Sequence, residues 1–192
     1  MTPRLAIPLL TLAAALAVVP AIALAAPPVW TVDKAASHLS FSSSVSNGPF
    51  TGAFRTWDAV IHFDPKDLPH SDVAVTIEMA SAATGNGDRD AELPDQDWFW
   101  TSHFPRATFV AHGFQAAGPG RYLAPGVLTI RGVAKPLTLP FTLAITGASA
   151  RMSGAVQLNR LAFGVGQGEW KATDTVPAGV NLNVQLVAHR AP

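Results

Sequence analysis

Residues 180–190 read Val-Asn-Leu-Asn-Val-Gln-Leu-Val-Ala-His-Arg, and residues 137–145 read Leu-Thr-Leu-Pro-Phe-Thr-Leu-Ala-Ile. In the first stretch Val180, Leu182, Val184, Leu186 and Ala188 alternate with Asn181, Asn183, Gln185 and His189. In the second, Leu137, Leu139, Phe141, Leu143 and Ile145 alternate with Thr138, Pro140, Thr142 and Ala144. Successive side chains of a strand point to opposite faces, so each stretch predicts a strand with one oily face. The pattern recurs over residues 39–45, 73–79, 107–114, 122–131 and 152–158. A further long strand is expected over 54–63, after a turn at Asn47-Gly48-Pro49, and a short first strand over 30–32. No long segment with a 3.6-residue period competes. Eight or nine strands divided by Gly, Pro and Asn turns specify an all-β barrel or sandwich. If the sheet closes at eight strands, its interior is just wide enough for one small or elongated ligand.

Residues 84–105 depart from this pattern. An acidic half (Asp88, Asp90, Glu92, Asp95, Asp97) precedes an aromatic half (Trp98, Phe99, Trp100, Phe104). Short helical turns interrupted by Pro94 are expected near residues 88–102. The acidic half lacks the central glycine and closing glutamate of a calcium loop, and reads as a solvated turn with helix-capping carboxylates. The aromatic half reads either as a plug packed on a barrel end or as a lid touching an apolar ligand.

The N-terminus has a different character. Arg4 precedes an apolar run over residues 5–24, and Ala23-Leu24-Ala25 is a small-x-small site. This predicts a signal peptide over residues 1–25 and a mature domain over 26–192 exported to the periplasm; a retained membrane anchor is the alternative. Removing residues 1–25 from 192 leaves 167, enough for a single domain with a substantial core. The whole chain carries 13 basic and 13 acidic residues, and loss of Arg4 leaves 12 against 13. A near-neutral chain without a basic run argues against a nucleic-acid partner. With no cysteine, disulfides, thiolate metal sites and thiol chemistry are excluded.

Few residues suggest chemistry. The six histidines form no His-x-x-x-His pair, no Gly-x-Ser-x-Gly elbow exists, and the glycines at 164, 166 and 168 lack the Gly-Lys-Ser/Thr ending of a phosphate loop. The reading therefore has no catalytic residue, no metal site and no cofactor. The glycine run is expected to be a bulged β-loop.

Longer motifs resemble a known family. Gly52-Ala53-Phe54-Arg55-Thr56-Trp57 runs on to Phe63-Asp64-Pro65. Ser81, Thr84, Arg89-Asp90, Leu93 and Asp97-Trp98-Phe99 are followed by Phe104-Pro105-Arg106-Ala107-Thr108-Phe109. Then come Gly126-Val127-Leu128-Thr129-Ile130-Arg131-Gly132, with Lys135-Pro136, and Arg160-Leu161-Ala162-Phe163-Gly164-Val165-Gly166. In order and across the mature chain, these resemble the YceI-like family of exported lipid-binding proteins. The resemblance implies an extended, eight-stranded, antiparallel, lipocalin-like barrel. It implies a non-enzymatic periplasmic carrier that holds a polyisoprenoid or similar long-chain amphiphile. Glu92, Trp100 and Ala59 depart from the family pattern at positions that bear on the mouth and the choice of ligand.

Pore-lining residues are expected at Phe41, Phe54, Trp57, Ile61, Ile77, Phe109, Leu128, Phe141, Leu143, Leu182 and Val184. Phe54 and Trp57 have opposite strand parity, so both face inward only across a bulge. Trp98, Phe99 and Phe104 are expected to close the mouth, and Arg89 or Arg131 to meet an anionic head group. A homodimer and a transient contact with a membrane or membrane protein stay open as further partners. Two other functions also stay open: an enzyme using a polar residue such as His112 or Asp97 at the barrel mouth, and a structural or stress-response barrel filled by its own side chains.

Overall fold

The computed structural model describes residues 26–46 and 48–192; the expected signal peptide lies outside them. Twelve strand segments build the wall: β1 (Val29–Val32), β2 (His38–Val45), β3 (Gly48–Phe54), β4 (Trp57–His62), β5 (Asp72–Glu78), β6 (Ala82–Ala83), β7 (Arg106–His112), β8 (Gln115–Ala116), β9 (Arg121–Ile130), β10 (Val133–Thr146), β11 (Ser149–Asn159) and β12 (Gly179–Arg190). All pairings are antiparallel.

The ring runs β1, β4, β5, β7, β9, β10, β11, β12 and closes where β12 meets β1 through Trp30↔Arg190 and Val32↔Ala188. The result is a closed eight-stranded antiparallel barrel. β2, β3 and β6 continue the walls of β1, β4 and β5 past three neighbouring breaks. β12 pairs first with β2, through Leu182↔Phe41 and Val184↔Leu39, and then with β1. Closure leaves no long free edge on the ring to recruit another chain.

The alternation in residues 137–145 and 180–190 is kept in three dimensions. Leu139 and Phe141 are buried between exposed Thr138, Pro140 and Thr142 on β10. Pro136 and Pro140 have outward parity on this strand, opposite Val127 and Leu123 of β9.

The first strands differ from expectation. Gly48 and Pro49, expected in the turn, belong to β3 instead: Val45 pairs with Gly48, Ser44 with Pro49, and Ser46 carries φ 46°. A Gly-Pro pair reads as a turn by composition, yet here it opens a strand. The expected single strand over 54–63 is two strands broken at Arg55-Thr56, where Arg55 N–H donates to Ser81 O and Glu78 N–H to Thr56 O. This break resets strand parity, so Phe54 ends β3 and Trp57 begins β4 with both facing inward.

Residues 84–105 close one end of the barrel. The helix α1 (Gly87–Glu92) is capped by Asn86, whose Oδ1 accepts from Arg89 N–H at 2.9 Å. The cap is therefore an asparagine, although the acidic run had suggested a carboxylate. Asp90 acts instead on the chain before the helix, accepting from Thr84 Oγ1 at 2.6 Å, Thr84 N–H at 2.7 Å and Gly85 N–H at 3.1 Å. The Thr84 hydroxyl, then the Thr84 amide, hold the Asp90 carboxyl below its ordinary pKa. Turns follow to Phe104.

Candidate functional site: an apolar lumen in two chambers

Inward parity on every barrel strand delivers carbon to the axis. The first chamber, about 150 Å³, is lined by residues of all eight ring strands, including Trp30, Trp57, Ile61, Val75, Phe109, Leu128, Phe141, Leu143, Met152 and Val184. All of its lining residues are apolar, and Trp30 Nε1–H is spent on Phe63 O at 2.9 Å. The second chamber, about 110 Å³, lies towards the plug between Phe41, Phe54, Leu93, Trp98, Phe99, Phe163 and Val180. Ile77, Leu128 and Leu182 line both chambers and form a waist between them.

Aromatic rings shape the lumen by lying over glycines. A Cβ on Gly52 would come within 2.3 Å of the Phe41 ring, and one on Gly126 within 2.8 Å of the Phe109 ring. Each glycine makes room for a ring that bulk there would push into the lumen. At the far end Phe63, Phe114, Tyr122 and Phe141 pack together, with ring centroids 5.2–6.4 Å apart. Ile145, at the tip of the β10–β11 hairpin, lines the first chamber while 37% exposed, so the lumen approaches the surface there.

The expected lining residues can now be placed. Phe41, Phe54, Trp98 and Phe99 are on the second chamber. Trp57, Ile61, Phe109, Phe141, Leu143 and Val184 are on the first, and Ile77, Leu128 and Leu182 on both. Phe104 is on neither. It packs edge-on against Trp100 and His103 at 5.6 and 4.6 Å, and a Cβ on Gly132 would come within 3.0 Å of its ring. It packs on the plug outside the lumen, two residues before β7 begins. The two arginines considered for a head group are engaged elsewhere. Arg89 lies 4.2 Å over the Phe50 ring, and Arg131 Nη1 donates to Gln96 O and Trp98 O, tying the plug to the end of β9.

The polar residue that composition did not reveal is Arg160. It is 4% exposed and lines the second chamber. Its guanidinium donates to Pro177 O, Val165 O and Gly166 O, and to Trp170 O, Ala172 O and Val176 O. Burial lowers its pKa from the ordinary value, yet an arginine stays charged. Among the described residues it has no carboxylate partner. The glycine run wraps around it: Gly166 has φ 80°, and a Cβ there would stand 1.8 Å from Arg160 Nη1. The loop is thus organised by a buried cation whose hydrogen bonds go to carbonyls and whose charge is left unpaired. The Arg-x-x-Phe-Gly-x-Gly spacing is the sequence signal for this arrangement.

Among the described residues no histidine, aspartate or glutamate lines either chamber. His112 belongs to the outer face of β7, opposite Asp72, and Asp97 uses its carbonyl to accept from Gly166 and Gln167 N–H. Among the described residues no three His, Cys, Asp or Glu side chains gather closely enough to hold a metal.

Comparison with known proteins agrees with this geometry. Residues 30–188 match the model of the YceI-like domain. A UPF0312 protein of Shewanella denitrificans is 27% identical over 167 residues, covering 82% of this chain and 84% of that protein. The crystal structure of Burkholderia cenocepacia BcnA superposes with a TM-score of 0.79 at 37% identity, covering 82% of this chain and 99% of that one. A Saccharophagus degradans domain described as polyisoprenoid-binding superposes with a TM-score of 0.69 at 15% identity, covering 85% and 99%.

Proposed function

The chain belongs to the YceI-like family, and from the walls of its lumen we infer that it binds a long, flexible lipid, of isoprenoid or similar amphiphilic type, and carries it without transforming it. The observation that carries this reading is the pair of chambers joined at an apolar waist. Such walls reward chain carbon at about 0.8 kcal/mol per CH₂, which favours a long apolar chain over a polar solute. The Saccharophagus domain shares the fold with this chain, and its ligand class is consistent with the same use of the lumen. A lumen with no histidine, aspartate or glutamate among its described lining residues suits holding better than turnover.

Export belongs to the same proposal: residues 1–25 direct the chain to the periplasm, and the mature protein begins at Ala26. N-terminal sequencing of the protein recovered from a periplasmic fraction tests this, and an uncleaved start at Met1 contradicts it. The binding reading is tested by displacement of an apolar fluorophore with linear prenyl and alkyl lipids. Affinity that rises with chain length supports it; absence of displacement by all of them refutes it.

A further inference from the structure

The second chamber differs from the first in having Ser43 and Arg160 among its lining residues, with Trp98 beside them, although the surface they present to the chamber is carbon. Ser43 Oγ–H is spent on Gly179 O at 3.3 Å and the Arg160 donors on carbonyls. Trp98 is not spent. Its Nε1–H is buried and, among the described residues, has no acceptor. An indole N–H is a donor only, and leaving one unpaired in a low-dielectric interior is costly enough that such groups are rare. The Arg160 guanidinium lies over the Trp98 ring, 5.6 Å from its centroid, so a positive charge without a carboxylate partner stands beside the indole. Both features favour an electron-rich atom, and neither favours hydrocarbon.

Building on the lipid-binding reading, we propose that Trp98 Nε1 is the head-group donor of this lumen. The ligand then carries an acceptor oxygen, of carbonyl, ester or phosphate type. It lies with that oxygen at the plug and its tail running past Ile77, Leu128 and Leu182 into the first chamber. The acceptor reaches the N–H on a tilt of the indole. The tilt is needed because the Nε1–H is fully buried, with the ring packed 5.4 Å from that of Trp170. Trp98 thus acts as a specificity residue as well as a wall.

The test compares two probes of equal chain length, a linear polyprenyl methyl ketone and the matching hydrocarbon, on wild type and Trp98→Phe. Phenylalanine keeps an aromatic wall and removes the donor. Ketone affinity is expected to fall about three- to tenfold in the variant with hydrocarbon affinity unchanged. The Trp98 indole N–H resonance of ¹⁵N-labelled wild type is expected to move downfield with the ketone and not with the hydrocarbon. A prenyl phosphate in place of the ketone separates the two attractions: a still larger loss of affinity in the variant shows the N–H acting together with the Arg160 charge, and a loss equal to the ketone's shows the N–H acting alone. Equal changes for ketone and hydrocarbon, no change for either, or an unmoved resonance overturns the proposal while leaving lipid binding intact. Wild type that takes up no probe overturns both.

Discussion

Leu182 offers the sharpest perturbation of the lumen, because it lines both chambers and pairs with Phe41 across the β12–β2 seam. Replacing it with tryptophan puts an indole into the waist. The first chamber, at about 150 Å³, matches the size of an engineered core cavity that accepts benzene, so it holds roughly six carbons. At ~0.8 kcal/mol per CH₂, those carbons are worth about 5 kcal/mol, or more than a thousandfold in affinity. The assay is fluorophore displacement by a homologous series of linear alcohols. In wild type, affinity climbs with length until both chambers are filled. In Leu182→Trp it climbs only to the length one chamber holds and then levels off. Overpacking is expected to cost about 1–3 kcal/mol of stability, read separately by urea denaturation. A variant whose affinity keeps rising with chain length as in wild type refutes the two-chamber lumen, and so does one that loses short and long alcohols by the same factor.

Other outcomes follow from the loops around the lumen. Arg160→Ala strands six carbonyl acceptors at once, and urea denaturation is expected to show a loss of roughly 3–5 kcal/mol; Arg160→Lys, with one nitrogen in place of a fork, recovers only part of it. Gly166→Ala meets Arg160 Nη1 and must hold φ 80°, so about 2–3 kcal/mol is expected to be lost in the same assay. Asp90 has a folded pKa below its ordinary value, held there first by the Thr84 hydroxyl. Its latch on Thr84 and Gly85 is therefore complete above about pH 4 and is lost as pH falls through the lowered folded value. Thr84→Val moves that value upward, so hydrogen exchange at Gly85 is expected to accelerate at a higher pH than in wild type; an unchanged onset counts against the hydroxyl as cause.

Parts of this molecule were legible because strand parity is a local property. The alternation in residues 137–145 and 180–190 places Phe141, Leu143, Leu182 and Val184 on one apolar face, and closure around those faces follows from burying them. The opposite parity of Phe54 and Trp57 in one expected strand allowed both to face inward only across a bulge; the structure has a break between two strands at Arg55-Thr56 instead. Gly48-Pro49 misled because the residue types of a turn also serve at the first positions of a strand, and only pairing with Val45 and Ser44 decides between them. Phe104 looked like its neighbours in composition, but its ring packs on Trp100 and His103, off the lumen wall. Arg160 and the indole N–H of Trp98 were not legible as polar features of the lumen. Their roles depend on how residues 163–178 fold back over the barrel end, and no period in the sequence encodes that.

Native mass spectrometry of the protein, purified without detergent and followed by organic extraction, tests the central claim most directly. The account predicts a discrete adduct whose extracted mass is that of a prenyl or other long-chain lipid bearing an acceptor oxygen. An apo mass that stays unchanged after incubation with polyprenyl and quinone lipids contradicts it.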